Sequence, residues 1–191
     1  NTTDTNIVYH QCENEQDLLS KFLDFWQKNC PDIITGWNTN AFDVPYLVNR
    51  ITKVLSEEQS KRLSPWKKFS KRTITLRGRL HETFSLLGIS ILDYWELYLK
   101  YAPNSSQESY KLDYIANVEL GEGKVEFDGN LRNLYKEDFQ KFITYNIQDV
   151  ELVAKLEEKL RLIELVVFLA YYSKVNYDDV LSQVRSWDTL I

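Results

Sequence analysis

Two hydrophobic periods alternate along this chain. Apolar residues recur three and four apart at Leu18, Leu19, Phe22, Leu23 and Trp26. That spacing predicts a helix running to about Lys28 with this face turned inward. Asn14, with Asp17 three residues on, supplies an N-cap, and Pro31 closes the segment. Upstream, "NIVYH" at 6–10 reads as the end of a strand. The short β-branched run "IITGW" at 33–37 has the pattern of a strand buried on both faces, as in a parallel sheet. Helical spacing returns over 44–55, with Tyr46, Leu47, Ile51, Val54 and Leu55 as the inner face. Pro45 falls in the first turn, where a missing N–H costs nothing. "RTITL" and "LHETFSLL", joined by Arg77-Gly78, predict a β-hairpin near 67–87. "ISILDY" at 89–94 is a second apolar strand, and a helix over 94–101 follows it. Ser109 is placed to cap a helix through "YKLDYIANVEL". Residues 121–130 hold three of the six glycines and read as loop or short hairpin. From Glu137 the chain turns helical, with Phe139, Phe142, Ile143, Val150, Val153 and Ala154 as the buried stripe. A further helix covers 160 to about 174.

Strands separated by helices imply an α/β fold with an at least partly parallel sheet. The 191 residues suffice for one sizeable domain with its own core. Aromatics make up 14% of the chain, which suits a dense core first and a base-stacking surface second. The net charge of −5 argues against a nucleic-acid binder that works by bulk charge. It leaves room for a nuclease, whose site must itself be acidic to hold cations. Within this acidic chain, residues 61–79 form a strongly basic patch. Cys12 and Cys30 have neither metal-ligand spacing nor a disulfide framework, and an intracellular compartment is the simplest expectation. The most apolar run, "LIELVVFLAYY" at 162–172, is interrupted by Glu164 and is shorter than the roughly 20 residues a bilayer requires, so no membrane is expected. The chain has no methionine and begins Asn1-Thr2-Thr3, so it reads as a fragment of a longer protein.

Ligands of open α/β sheets sit beyond the carboxyl ends of the strands, and two acids fall there. Asp43 follows the strand 33–37 across a short connection, at a helix start where it could be a cap, a metal ligand, or both. Asp93 ends the strand 89–93. A third acid, Asp149, lies in the long helix four residues after Tyr145, so the two share a helix face. A carboxylate can bind a divalent cation, and a phenol beside it can hydrogen-bond a water or a phosphate oxygen. Each signal is short by itself. A capping acid or a solvated helix face would leave the same trace.

Together, Trp37-Asn38 with Phe42-Asp43, followed downstream by Tyr145 and Asp149, resemble the second and third motifs of the 3′→5′ proofreading exonuclease domain of family B DNA polymerases. "TGWNTNAFDVPYLVNR", "GISILDYWELYLKY", "SYKLDYIA", "YNIQDVELV" and "YYSKV…WDTLI" look like successive blocks of the T-even-type bacteriophage members, over nearly the whole chain. The resemblance implies a ribonuclease-H-like fold of the DEDD exonuclease type, truncated at its N-terminal strands. It implies a partial exonuclease domain over 1–175 and the start of a connection to the polymerase region over 176–191. It implies two-metal hydrolysis of the 3′-terminal phosphodiester of single-stranded DNA with Mg²⁺ or Mn²⁺. Asp43 and Asp149 would be metal ligands, and Tyr145 would orient the attacking water. Asn38 and Phe42 would meet DNA, as would Lys67, Lys68, Lys71, Arg72, Arg77 and Arg79 on the hairpin, which in these phage enzymes helps to separate primer from template. A solvated charged loop is the plainer reading of those six cations.

The family's first motif, an Asp-x-Glu on the opening strand of the sheet, supplies two further acids, and no predicted strand here carries one. The resemblance therefore implies half a metal site and little activity in isolation. The alternative is a non-catalytic DNA-binding or structural piece, or one half of a split polymerase. The expected partners are the primer 3′ end, the remainder of the polymerase, and a second copy paired through an open sheet edge. The expected location is the cytoplasm of a phage-infected cell.

Overall fold

A computed structural model describes residues 8–76, 78–103, 106–123 and 131–181. The chain forms two compact units. The first draws on residues up to Asp32 and on Asp43–Ile89. The second draws on Ile33–Phe42 and on residues from Ser90 onward.

In the first unit, α1 (Glu15–Asn29) begins as its sequence dictates: Asn14 Oδ1 accepts from the Asp17 N–H at 2.9 Å, and Asp17 Oδ2 accepts from the Glu13 N–H at 3.0 Å. The first bond satisfies a donor that the helix geometry orphans, and the second ties the residue before the cap back to the first turn. Leu19 and Leu23 are buried, whereas Leu18 is exposed, so the inner stripe is narrower than its apolar spacing suggested. Residues 8–10 are not in a strand, and residues 6–7 lie outside the described region. Helix α2 (Asp43–Val54) buries Val44, Val48 and Ile51. Tyr46, expected inside, is exposed. The buried stripe begins at Val44 instead, because α2 packs on α1 and on the hairpin through that face. A short helix α3 (Glu57–Ser60), capped by Ser56, runs into a 3₁₀ turn at Lys61–Leu63. Arg62 ties this turn to α1 through Asp24 at 2.6 Å and Gln27 at 2.8 Å, and the Trp26 indole donates to Leu63 O at 2.9 Å.

The hairpin pairs β2 (Phe69–Leu76) with β3 (Arg79–Leu86) in antiparallel register from Phe69↔Leu86 to Leu76↔Arg79. Gly78 takes φ +72°, the left-handed conformation that a two-residue loop demands and glycine supplies without strain. Phe84 and Leu86 are buried at the root, and Phe69 meets Phe84 edge to face at 5.4 Å. Ser64 fastens that root, donating to Leu87 O at 2.6 Å and accepting from the Trp66 and Lys68 N–H groups.

In the second unit, β1 (Ile33–Gly36) pairs in parallel with β4 (Ser90–Asp93), aligning Gly36 with Asp93. Among the described residues this sheet has two strands. For that reason β1 is half-buried, with Thr35 exposed, and not covered on both faces as its apolar run suggested. Helix α4 (Tyr94–Tyr101) follows β4 directly. Helix α5 (Leu112–Leu120) begins at Lys111 and not at Ser109, and ends on Gly121 in the left-handed conformation. Among the described residues four more helices follow: α6 (Leu131–Glu137), α7 (Phe139–Leu160), α8 (Leu162–Ser173) and α9 (Tyr177–Val180). The core joins Leu92, Tyr94, Leu97 and Tyr98 to Ile115, Leu152, Leu156 and Val166. On α7 the buried residues are Leu152, Val153 and Leu156. Val150 and Phe139 are exposed and Ala154 lies outside, so the expected stripe holds only at Val153. The long helix meets α5 and α6, and its buried residues are those that join Ile115 and Ala116 of α5 in the core. Residues 124–130 and 182–191, including "VEFDG" and "WDTLI", lie outside the described region.

Candidate active site

The connection between β1 and α2 is built to deliver Phe42 and Asp43. Trp37 anchors it: its indole N–H donates to Tyr110 O at 3.1 Å, and its ring lies 6.4 Å from Tyr94 and 6.1 Å from Tyr98. Asn38 takes φ +69°, a conformation that asparagine tolerates better than most residues. Its carbonyl then accepts from the N–H groups of Ala41 at 3.2 Å and Phe42 at 3.0 Å, closing a tight turn. Thr39 and Asn40 are buried. The chain leaves this turn with Phe42 62% exposed. Asp43 is exposed too, and is the first residue of α2, so its carboxylate sits in the first turn, where the helix dipole favours negative charge.

Asp93 holds the turn. It is fully buried, and its two carboxylate oxygens accept three backbone N–H groups. Asn38 donates to Oδ1 at 3.0 Å, Asn40 to Oδ2 at 2.9 Å, and Trp95 to Oδ1 at 3.1 Å. The third bond makes Asp93 the N-cap of α4. One acid thus joins the end of β4, the start of α4 and the turn leading to Asp43. Burial pushes the Asp93 carboxyl up to about 6, opposed by the Asn40 N–H and reinforced by the nearby Glu96. Glu96 Oε1 in turn accepts from the Asn40 side chain at 3.2 Å. A strand-end acid immediately before a helix was the one signal of this clamp. Its partners in the turn, more than fifty residues upstream, were not legible.

On α7, Tyr145 and Asp149 lie on one face and both are half-buried, with one Asp149 carboxylate oxygen buried. Asp138 caps the helix, accepting from the Lys141 N–H at 2.9 Å. The neighbouring Gln148 donates to Gly123 O at 2.7 Å, and Lys155 pairs with Glu122, so the rotation of α7 about its axis is fixed from both sides of Asp149. Asp43 belongs to the first unit, and Tyr145 and Asp149 belong to the second.

The single Asp-x-Glu in the chain is Asp149-Val150-Glu151, and it is helical. Residues two apart share a face on a strand but diverge by about 200° around a helix. It therefore cannot present two acids to one ion as a strand motif does. Among the described residues no group of three or more His, Cys, Asp or Glu side chains is arranged to hold a metal. Each of the carboxylates of Asp43 and Asp149 is a donor of the kind that a hard divalent cation takes.

The hairpin distributes its cations over two faces, because neighbours on a strand point oppositely. Lys71 shares a face with Glu82, and the two form an ion pair at 2.7 Å. Arg72, opposite Thr83, is on the other face. Lys67 and Lys68 are exposed at the root, Lys67 with φ +52°. Arg77 lies outside the described residues, and Arg79 is described by its backbone alone, opposite Leu76.

Residues 1–115 match the family model for the DNA polymerase family B exonuclease domain. The chain belongs to that family. Over 97% of its length it is 40% identical to the DNA-directed DNA polymerase of Escherichia phage RB69 and 36% identical to that of Enterobacteria phage T4. It is 28% identical over 94% of its length to the DNA polymerase delta catalytic subunit of Caenorhabditis elegans. The chain spans about a fifth of the length of the two phage relatives, 20% in each case. As a family B exonuclease domain it is a mixed α/β protein whose Trp37–Asp43 turn lies within the matched segment. No described helix is long and apolar enough to cross a membrane.

Proposed function

We propose that this chain is part of a replicative DNA polymerase acting in a phage-infected cell, and that it contributes part of a ribonuclease-H-like 3′→5′ exonuclease site for single-stranded DNA. The observation that carries this reading is the match to the family B exonuclease domain. Asp43, at a helix start, and Asp149, on the Tyr145 face of α7, each offer an oxygen ligand to Mg²⁺ or Mn²⁺. Bound cations would supply the Lewis acidity that phosphodiester hydrolysis needs. The chain's own residues supply position. The Tyr145 phenol accepts a hydrogen bond from the attacking water and orients it. Phe42 stacks on a base near the 3′ end, and the Asp93 clamp holds the turn from which Phe42 projects.

With two ligating acids, the 191-residue chain alone is expected to leave a 5′-labelled single-stranded oligonucleotide nearly intact in Mg²⁺. Adding the family's Asp-x-Glu strand in trans is expected to restore stepwise shortening from the 3′ end. Robust digestion by the chain alone, or none after addition, would count against the assignment. Among the described residues, β1 and β4 each have an outer edge with no strand partner, and that is where a strand supplied in trans, or a second copy, would pair.

The hairpin lysines are proposed to bind phosphate. Replacing both Lys67 and Lys68 by Ala is expected to weaken oligonucleotide binding and flatten its salt dependence, by roughly 0.7 in log–log slope for each phosphate no longer neutralised. Lys71→Ala is expected to do less, because Glu82 already neutralises that charge. Equal slopes for the double variant and the parent would remove these lysines from the interface.

A further inference from the structure

Three rings gather where α6 meets α7. Tyr135 lies 5.4 Å from Phe139 and 5.3 Å from Phe142, edge to face in both cases, and Phe139 stacks on Phe142 at 6.3 Å. These rings do not serve the core, where Leu134 takes the buried position of α6. Tyr135 is 54% exposed and Phe139 44% exposed. Side chains of this area are ordinarily covered, and a cluster of them left open marks a contact surface.

The setting says what the surface contacts. Phe139, Phe142 and Tyr145 follow one another at three-residue steps along α7, rising about 4.5 Å each time, and Asp149 lies one further turn on. The rings therefore continue the ridge that carries the proposed catalytic face. Arg132 and Lys136 flank the cluster and are exposed, and Lys141 is half-buried beside it. Among the described residues two acids lie nearby: Glu137, exposed at the end of α6, and Asp138, engaged in capping α7. Aromatic faces interleaved with cations, at the junction of α6 with the helix that carries the proposed hydrolytic face, match the chemistry of a single strand: bases for the rings and phosphates for the cations.

We infer that Tyr135, Phe139 and Phe142 form a stacking platform for an unpaired base of the single strand whose 3′ terminus reaches Tyr145 and Asp149. The platform rests on the exonuclease reading of that face. It adds a second point of purchase on the same strand, several nucleotides from the terminus, so that a frayed end is held by base stacking as well as at the scissile phosphate.

The test uses the 191-residue chain in Ca²⁺ with oligothymidylates carrying 2-aminopurine, either at the 3′ terminus or at successive internal positions. In the parent chain one internal position is expected to show quenching on binding. Tyr135→Leu with Phe139→Leu is expected to weaken binding about tenfold. It should also abolish that internal signal while keeping the signal at the terminus. Phe139→Trp, which preserves a stacking face, is expected to restore both, and circular dichroism confirms that each variant is folded. Unchanged affinity and unchanged internal quenching in the double Leu variant would overturn the platform alone and leave the rings to a protein neighbour. Failure of the parent chain to bind any of the oligonucleotides would overturn the platform together with the exonuclease reading.

Discussion

Asp149→Asn, in a polymerase carrying this domain together with its Asp-x-Glu strand, is expected to slow single-strand 3′→5′ digestion by about 10³-fold, with DNA synthesis unchanged. The size follows from the chemistry. Replacing a carboxylate by an amide removes one negative charge from a cation site, and the transition-state stabilisation such a site supplies amounts to several kcal/mol. Asp43→Asn is expected to give a loss of the same order. The two are expected to combine sub-additively, because residues that act as one unit share one loss. Tyr145→Phe should be milder. It keeps the ring and removes only the hydroxyl, so the turnover number falls by about 10–100-fold with little change in KM. The measurement is the rate of shortening of a labelled oligonucleotide under single-turnover conditions. A 10-fold or smaller effect of Asp149→Asn would remove it from the ligand set.

The second large effect is structural and centres on Asp93. Asp93→Ala would leave the N–H groups of Asn38, Asn40 and Trp95 without their acceptor inside a buried turn. Each such orphan costs about 1–3 kcal/mol, offset in part by relief from burying a charge, so a net loss of about 2–4 kcal/mol at pH 7 is expected in urea unfolding. The pH dependence separates the two contributions. Burial raises the folded-state carboxyl to about 6 from its ordinary value near 3.8, so the folded chain holds this proton more tightly than the unfolded chain does. Its stabilising contribution is therefore fully present below about pH 4 and is lost as pH rises through about 6. Asp93→Asn does not titrate, so the stability of the parent relative to that variant should fall across this window as pH rises. Its amide oxygen can retain the two bonds made at Oδ1, while its NH₂ meets the Asn40 N–H donor to donor, so it should be less destabilising than alanine. Identical pH profiles for parent and Asp93→Asn would show that Asp93 does not titrate there.

The activity and stability effects are linked through one turn. Asn38 and Asn40 are held by Asp93, and the chain emerges from them at Phe42 and Asp43. A weakened clamp should therefore lower exonuclease activity at temperatures where the domain is still folded. That loss should appear in the rate and not in metal-dependent binding at the α7 face.

Much of this was written locally. The α1 cap at Asn14, the hairpin turn at Gly78, the existence of the short strands β1 and β4 and the helix face shared by Tyr145 and Asp149 depend on residues a few positions apart, and short-range geometry settles them. The positions of the proposed site residues in the fold were legible for the same reason, since a short turn ending in an acid and a Tyr-x-x-x-Asp helix are local patterns. Four features were decided only by tertiary structure. The inner face of α2 and the buried stripe of α7 follow from which elements pack against them, and an apolar residue can lie on either side of that line, as Tyr46 and Val150 do. The ion pair of Lys71 with Glu82 needs the strand register, which takes one cation out of a patch that had counted six. Asp93 needed most of all a partner distant in sequence. A single strand-end acid says nothing about the turn it holds until β1 and β4 align, and that alignment buries its charge and makes it the clamp behind Asp43.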